Sequence, residues 1–544
     1  MAVGGAELVA HRHALELVAR GHEVAVFAGR PPRSDQVGGE MAFETLDGIP
    51  VHRLSIRSLE YARSFHWDAA GRRFRAVLEH FRPDVVHFHN LIGLGANLIL
   101  EARRVGIATV CTVHDHWGFC ALNTLYRPAG HVCDDFEECH FCVPNVADEK
   151  GTSLPFRLRR DYVHRCLSEV DHLVFPSRYL ADVYAKAGFG TARTRVQSNG
   201  VDLDRFTAAR SPGARMRIAV VGYLGEHKGF GLLLEAIDRM LAMPHLRGRW
   251  EIVIAGDGHL RGRIAKVADD PACRDHLSFL GKLRPDEIPA LLASADVVLL
   301  PSLWPENEPV VMLEAIAAGA AQLASRIGGH RELVEDGRSG FLFESGNLDD
   351  LIEKLERYIE DPGLARAHGA FNWNRRGTFA QALAVDAYED IYRSVRWRDE
   401  PGDPVVLCTG AWPSLGVAHL FNNLSVLEAT TERLRFIYAD WADSRLWEKA
   451  TAMIVWSDDC DRSLLLRCVH AKIPVIAPLE NAFAGSLRGQ GHNVFSYGDL
   501  AEAVSALRSV VKPEVNAACR APDEDLSATA AAIATLAGPD AFGL

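Results

Sequence analysis

The sequence predicts an α/β protein whose parallel, doubly wound sheets are covered by helices. Short apolar runs rich in β-branched residues, such as residues 296–300, alternate with longer amphipathic stretches, as in repeated βα units. The runs end in polar or glycine-containing turns, and sheets of this kind bind ligands at the carboxyl ends of their strands. A chain of 544 residues has room for about three to four domains.

The composition is that of an ordinary globular protein and argues against two classes of function. Apolar residues make up 48% of the chain and charged residues 24%. A formal net charge of −12 argues against nucleic-acid binding, which requires basic excess. No apolar run reaches the roughly 18 residues that span a bilayer, and the N-terminus lacks the layout of a signal peptide. Because several of the 11 cysteines lie singly in apolar segments, we expect a reducing cytoplasm.

The stretch from Ala295 to Gly319 carries the clearest functional pattern. Its buried strand ends at Pro301, and Pro309 suits the first turn of the helix that follows. Glu306 and Glu314 are eight residues apart, so one lies in the loop after the strand and the other further along the helix. The free N–H groups at the start of such a helix are able to bind a phosphate.

This stretch resembles the Glu-x7-Glu signature of retaining GT-B glycosyltransferases, the large sugar-nucleotide-dependent family 4. Taken alone, the two glutamates fit an ordinary surface helix equally well. Further motifs in the family's order, from Gly4 to Phe341, favour the resemblance. It implies a GT-B fold, in which two doubly wound Rossmann-like domains face a cleft.

The resemblance implies roles for the matched residues. Glu306 would face the donor sugar, Glu314 would hold the ribose hydroxyls, and Lys228 would neutralise the leaving diphosphate. His114, after the predicted strand 108–113, would contact the transferring sugar, with a histidine merely satisfied in its loop as the alternative. The predicted catalytic residues are thus His114, Lys228 and Glu306, and the predicted donor-binding residues are Gly4, Gly5, Asn199, Gly200, Lys228, Gly256, Asp257, Glu306, Asn307, Glu308, Pro309, Val310, Val311 and Glu314.

Two features depart from the family's pattern. Tyr223 stands where the family has an arginine, so one of the two cations expected at the diphosphate is missing. In the family a strand precedes the turn at Gly4-Gly5, and the given sequence lacks it. A central strand cannot be dropped without leaving two ladders unpaired, so we expect a start assigned too late or a truncated reading frame.

Four cysteines lie in a loop rich in turn residues, and two of them form the pair Cys139-His140-Phe141-Cys142. Four thiolates satisfy a closed tetrahedral zinc site, so we favour a structural zinc, with free cysteines and disulfides as alternatives. The resemblance implies that catalysis itself needs no metal or other cofactor. The predicted zinc ligands are Cys120, Cys133, Cys139 and Cys142.

A basic amphipathic helix is predicted from Ser153 to Arg165. Such a helix is able to lie on an anionic membrane, although a solvated face packed against the core is the more ordinary interpretation. Its arginines are Arg157, Arg159, Arg160 and Arg165.

The chain beyond residue 403 repeats the pattern of the second domain. Residues 452–457 parallel the strand at 296–302, and residues 464–471 parallel the helix at 311–318. In this register Arg467 replaces Glu314, so the segment is predicted to be a degenerate half GT-B domain, with a chance match between unrelated α/β units as the alternative.

The predicted domains are an N-terminal acceptor-side domain at 1–207 with a cysteine-rich insertion at 118–145, a nucleotide-sugar domain at 215–378, a closing helix at 379–398, the degenerate unit at 403–520 and a tail at 521–544. By resemblance, the protein moves a hexose from a nucleoside diphosphate sugar to a hydroxyl of a glycan or lipid-linked saccharide, with retention, in polysaccharide biosynthesis. We expect it in the cytoplasm, with peripheral contact at the inner membrane face as an option. The alternatives are a sugar-nucleotide epimerase or hydrolase, and a non-catalytic scaffold that binds a sugar nucleotide or a partner.

Overall fold

Two compact units make up the computed structural model, the first formed by residues 1–100 and 109–396 and the second by residues 101–108 and 397–544. The structure describes residues 4–30, 38–56, 65–127, 129–136, 139, 142–147, 152–189, 193–207 and 213–395, and beyond these 405–409, 435–438, 450–455, 465, 468, 473–478, 484, 487–488 and 494–497.

Helices follow most of the strands, as the alternating sequence pattern predicts. In chain order they are α1 (Gly5–Ala19), α2 (Asp68–Phe81), α3 (Asn97–Arg104), α4 (Phe156–Ser168), α5 (Arg178–Lys186), α6 (Phe230–Leu241), α7 (Arg261–Ala268), α8 (Ile288–Ser294), α9 (Val310–Ala318), α10 (His330–Leu333), α11 (Leu348–Glu360), α12 (Pro362–Arg375) and α13 (Gln381–Val395).

The N-terminal half of the first unit contains two main sheets rather than the one expected. A three-stranded sheet, in the order β1-β3-β2, consists of β1 (Val26–Arg30), β2 (Met41–Leu46) and β3 (Ile49–Ser55). A four-stranded sheet, in the order β4-β5-β8-β9, consists of β4 (Val85–Phe88), β5 (Ala108–Thr112), β8 (His172–Phe175) and β9 (Thr194–Val196). Among the described residues no strand joins β1 to β4, and every residue of β1 is only half-buried.

The segment before α4 differs from the prediction. Residues 153–155 form strand β7 (Ser153–Pro155), which pairs antiparallel with β6 (Asn145–Ala147), and the helix begins only at Phe156. The helical prediction from Ser153 was therefore wrong in its first turn, because the backbone of Ser153 and Pro155 lies in the ladder with β6.

The C-terminal half of the first unit is built on a six-stranded parallel sheet. Its order is β12-β11-β10-β13-β14-β15. One cluster of buried residues, including Ile218 and Leu299, covers one face, and a second, including Ala219 and Val298, covers the other. Because side chains alternate between faces, both faces are packed, as in a doubly wound sheet. The strands are β10 (Met216–Tyr223), β11 (Trp250–Asp257), β12 (Leu277–Gly281), β13 (Val297–Leu300), β14 (Ala321–Ser325) and β15 (Gly340–Phe343).

Helix α13 returns to the N-terminal half. The Arg20 guanidinium at the end of α1 donates hydrogen bonds to Asp386 and Glu389 of α13. Tyr392 shares a hydrogen bond with His87, near the end of β4, at 2.7 Å.

The second unit contains a five-stranded parallel sheet in the order β17-β16-β18-β19-β20. Its interior includes the buried residues Met453, Val475 and Ile476. The strands are β16 (Val405–Thr409), β17 (Arg435–Tyr438), β18 (Ala450–Val455), β19 (Val475–Pro478) and β20 (Val494–Tyr497).

Candidate donor site

The loop after β13 presents Glu306 to a lysine. The Lys228 Nζ atom donates to Glu306 Oε2 at 2.8 Å, and the Ser302 hydroxyl donates to Oε1. Only 7% of Glu306 is exposed. Burial alone would raise the pKa of Glu306, but the Lys228 charge, His330 and the hydrogen bonds from Lys228 and Ser302 together outweigh burial, and the pKa lies below its ordinary value. Glu306 is therefore an anion held beside a cation.

Glycines allow the loop that carries Glu306 to pack closely against the segments at Gly229 and Gly329. Gly229, next to Lys228, has φ of +76°, and a Cβ there would lie 1.8 Å from the Pro301 carbonyl oxygen. A Cβ on Gly329 would lie 1.6 Å from the Asn307 carbonyl oxygen, and the Gly329 N–H donates to the Glu306 carbonyl at 2.7 Å. Because no larger residue fits at either position, both glycines fix the loop that carries Glu306.

Helix α9 carries Glu314, which is 5% exposed, to the other end of the site. Pro309 is the residue before the first helical turn rather than within it. Glu314 Oε1 accepts hydrogen bonds from Arg12 Nη2 at 3.0 Å and from Arg205 Nη1 at 3.3 Å. The N–H groups of the first turn, at Val310 and Val311, have no partner within the helix and suit an anion.

The glycine turn of the N-terminal half faces the start of α9. Helix α1 begins at Gly5, with Gly4 as its N-cap residue. A Cβ added to Gly5 would lie 3.3 Å from Val310 Cγ2. The first turns of α1 and α9 therefore lie against each other, so that two positive helix ends converge on one place.

His114 follows β5 in the N-terminal half and lies against the loop that carries Glu306 and Asn307. Its carbonyl oxygen accepts a hydrogen bond from Asn307 Nδ2 at 3.2 Å, and its Nε2 atom shares one with His89 Nδ1 at 3.0 Å. Burial, with a smaller effect of His13, lowers the pKa of His114 to about 3. The ring is therefore neutral near pH 7 and acts as a hydrogen-bonding group, not as a cation.

Asn307 and Glu308 connect the two halves of the first unit. The Ser177 hydroxyl donates to Asn307 Oδ1, and the backbone N–H of Asn199 donates to Glu308 Oε2 at 2.7 Å. His13 Nε2 donates to the Asn199 carbonyl oxygen at 2.8 Å. Burial raises the pKa of Glu308 to about 7, against the lowering effect of its hydrogen bonds with Ser198 and Asn199.

The remaining predicted donor residues lie further out. Gly256 and Asp257 end β11 and pair in register with Gly222 and Tyr223. In the described part of the chain neither makes a hydrogen bond with a signature glutamate. Gly200 lies at φ of +74°, close to the backbone of Gln381. Tyr223 is 51% exposed and stacks on His227, so an aromatic ring occupies the place of the expected arginine.

The four cysteines of the insertion line one small cavity of about 20 Å³. Burial, with the neighbouring thiols Cys120, Cys133 and Cys142, raises the pKa of Cys139 to about 11. Within the described residues no three His, Cys, Asp or Glu side chains are arranged to hold a metal ion. The structural zinc therefore stays a prediction.

Three of the four arginines predicted on the basic helix α4 make contacts within the protein. Arg159 is fully buried, donates to the Trp117 carbonyl oxygen at 2.8 Å and stacks on the Trp117 ring. Arg160 donates to two carbonyl oxygens, and Arg165 pairs with Glu169. Arg157 and Leu158 face outward, so membrane contact through α4 rests on these two and stays a prediction. Within the described residues no helix is both long and apolar enough to cross a bilayer.

Sequence patterns alone did not identify Arg12, Arg205 or Ser177 as site residues. Arg12 and His13 lie three and four residues after Val9, on the buried stripe of α1. Charged or polar residues in the apolar register of a helix were the available signal. Ser177 and Arg205 lie in short turns, where the sequence offered no comparable signal.

Comparison with known proteins identifies the family of the chain. Residues 3–205 match the model of the Glycosyltransferase Family 4, and residues 205–372 match that of the Glycosyl transferases group 1. The D-inositol 3-phosphate glycosyltransferase of Geodermatophilus obscurus is 33% identical over 338 residues, which cover 57% of this chain and 72% of that protein.

Two further comparisons cover different shares of the chain. The GDP-mannose-dependent alpha-(1-6)-phosphatidylinositol monomannoside mannosyltransferase of Mycobacterium tuberculosis is 30% identical over 226 residues, covering 39% of this chain and 58% of that protein. Sucrose-phosphate synthase from Thermosynechococcus elongatus matches with a TM-score of 0.53 at 17% identity, over 72% of this chain and 94% of that one. At this identity the structural match shows the fold alone.

The fold and the matched families define the class of protein, a glycosyltransferase of the GT-B type. The chain belongs to the family-4, group-1 glycosyltransferases, as the relative at 33% identity shows. The family resemblance drawn from the sequence motifs is thereby confirmed.

Proposed function

We propose that this protein transfers a hexose from a nucleoside diphosphate sugar to a hydroxyl of a glycan or lipid-linked saccharide, with retention of the anomeric configuration. The observation that carries the proposal is the Lys228–Glu306 pair, which lies in the loops at the carboxyl ends of β10 and β13. The lysine is a cation that would face the leaving diphosphate. The carboxylate is an anion that would face the sugar, which becomes electron-poor as the diphosphate leaves.

The leaving diphosphate would lie at the converging ends of α1 and α9. There the first-turn N–H groups and the Lys228 ammonium would meet the negative charge as it develops, at no cost in reorganisation. Glu314 would hold the ribose through Oε2, since Oε1 is already occupied by two arginines. In this proposal the nucleotide would lie along α9.

The sugar would lie between Glu306 and His114. Glu306 is charged and fixed by two hydrogen bonds, so it is able to orient sugar hydroxyls without acting as a nucleophile. His114 is neutral, and it would contact the sugar from the opposite wall as a hydrogen-bonding group. No metal or other cofactor is part of this scheme.

The relatives suggest which compounds to test first. One of them is named for GDP-mannose and a phosphatidylinositol mannoside, and another for D-inositol 3-phosphate. A screen would therefore contain GDP-mannose, UDP-glucose, UDP-N-acetylglucosamine and ADP-glucose. Binding to the folded state raises the melting temperature by mass action, so a thermal-shift assay ranks the donors.

Transfer is then measured with the selected donor and an array of saccharide and inositol acceptors. We expect a product whose anomeric configuration, determined by NMR, is that of the donor. An inverted product would overturn the retaining mechanism. Donor turnover that needs no acceptor and gives free sugar or an epimer would replace the proposal by a hydrolase or epimerase.

One observation favours a second candidate, a non-catalytic scaffold that binds a sugar nucleotide. Tyr223 and not arginine ends β10, and Lys228 is already paired with Glu306, so the charge available to a leaving diphosphate is reduced. Saturable nucleotide-sugar binding with no turnover in the presence of every acceptor would establish the scaffold instead.

A further inference from the structure

Helix α1 buries an arginine on its apolar stripe. Arg12 is 8% exposed and lies one turn after Val9, which is 2% exposed. A buried guanidinium is costly unless it is paired, and burial lowers the pKa of Arg12 while Glu314 acts in the opposite direction. The partner of Arg12 therefore explains why the residue is there.

That partner, Glu314, lies 302 residues further along the chain and in the other half of the first unit. The contact joins α1, beside the N-terminal sheets, to α9, beside the six-stranded sheet. Arg205, in the turn between the two halves, donates to the same oxygen of Glu314. The carboxylate is thus held from the opposite half of the unit and from the segment that joins the halves.

The hydrogen bonds leave one side of the carboxylate open. Both arginines bond to Glu314 Oε1, and among the described residues no group donates to Oε2. Arg12 Nη1 is buried and also lacks a partner in the described residues. A pair selected for stability alone would satisfy these groups, because buried polar groups are nearly always hydrogen-bonded.

We propose that Arg12 is a positioning residue for the donor: it holds Glu314 so that Oε2 faces the ribose, and it does so only when the two halves of the unit are together. The inference rests on the proposed function, because it assigns a nucleoside diphosphate sugar to this site. Donor binding and the contact between the two halves are then coupled through the Arg12–Glu314 hydrogen bond, in addition to the contacts made by Asn307 and Glu308. A residue on the acceptor-side half thereby controls donor affinity.

The test is calorimetric titration of the full-length protein with GDP-mannose or UDP-glucose, whichever the wild type binds. Loss of a hydrogen bond to a charged group weakens binding by roughly tenfold to a hundredfold, so we expect an effect of this size for Arg12→Gln. The matched control is Arg20→Gln, on the same helix, which removes ion pairs with Asp386 and Glu389 and leaves donor affinity unchanged. Arg12→Lys keeps the charge without the planar fork, and we expect a smaller loss, of roughly threefold.

A double-mutant cycle separates positioning from general damage. In a Glu314→Gln background, Arg12→Gln should weaken donor binding no further, since its only route to the donor is gone. An equal loss in both backgrounds, or unchanged affinity in a folded Arg12→Gln protein, would overturn the inference. If Arg12→Gln does not fold, Arg12→Lys decides, and wild-type affinity in that variant overturns it. Absence of donor binding by the wild type refutes the proposed function and this inference together, whereas the other outcomes refute only the inference.

Discussion

Two parallel sheets of this chain share a strand order although they lie in different units. The six-stranded sheet runs β12-β11-β10-β13-β14-β15, and the five-stranded sheet runs β17-β16-β18-β19-β20. The second order is the first without its outermost strand β12. Strand β18, which the sequence matched to β13, occupies the corresponding place. Buried apolar strands of similar spacing thus specify the same topology twice.

What differs is the chemistry after the matched strands. Strand β13 is followed by Glu306 and then by α9 with Glu314, and both carboxylates have cationic partners. In the sequence after β18, Arg467 is predicted at the place of Glu314, and it lies outside the described residues. The comparison teaches that the topology builds a core, whereas a few side chains after one strand make a site.

Breaking the site of the six-stranded sheet should give the largest effect. We expect Glu306→Gln to lower kcat by roughly 100- to 1000-fold, the range for loss of one preorganised electrostatic group, with little change in donor affinity. Steady-state kinetics with varied donor measures both quantities. Glu353→Gln, at an exposed position of the same half, is the control. Equal activity in the two variants would remove Glu306 from the mechanism.

Another feature of the first unit is the cysteine-rich insertion at 118–145. We propose that it holds one zinc ion per chain, because four thiols line one small cavity. Metal analysis of protein purified without a histidine tag should find about one zinc, and Cys139→Ser should lose it and melt at a lower temperature. Cys273→Ser, at a buried cysteine elsewhere, should keep the metal. Metal-free protein with four freely titrating thiols would reject the site.

Glu308 should give the site in the first unit a pH dependence. Its pKa is about 7 in the folded protein against an ordinary value of 4.5, so the folded state keeps a proton that the unfolded state loses between these values. Its contribution to stability is therefore present below pH 4.5 and is lost as pH rises to about 7.

Glu308→Gln cannot ionise, so it removes this loss. We expect the difference in melting temperature between Glu308→Gln and wild type to move in favour of the variant as pH rises from 5 to 8. Thermal melts of both proteins, with Glu353→Gln as the control, measure this difference. A difference that does not change with pH would contradict the raised pKa.

The smallest effect is expected from removing the second sheet. If the unit from about 403 to 512 has lost the donor carboxylates, a chain that ends near residue 400 should bind the donor with wild-type affinity. The isolated unit should bind no sugar nucleotide. Calorimetry on both, after circular dichroism has shown that each is folded, tests the comparison directly. Saturable binding by the isolated unit would show that the two sheets share function as well as topology.

Much of the fold follows from local sequence patterns. Residues 297–300, just before Pro301, predict a buried strand because all four are apolar, and each residue of β13 is buried. The loop and helix that carry Glu306 and Glu314 were also expected from the turn residues and from Pro309. These features depend on neighbours within about 20 residues, which the sequence displays directly.

The features that the sequence did not reveal depend on contacts between distant residues. The pair of Arg12 and Glu314 spans 302 positions. Arg159 belongs to a basic helix, yet it is buried, because the rings of Trp117 and Phe156 and a carbonyl oxygen replace its water. Helical periodicity shows that a face is basic, but it cannot show what packs on that face.

The most direct test of the account is a calorimetric titration of nucleoside diphosphate sugars into the wild type and into Glu314→Gln, with Glu353→Gln as the control. The account predicts one saturable donor site per chain in the wild type and the control. In Glu314→Gln the affinity should be lower by roughly tenfold or more, because a hydrogen bond from the ribose to a charged carboxylate is lost. If no nucleoside diphosphate sugar binds the wild type, or if Glu314→Gln binds as tightly as the wild type, the donor site does not lie along α9.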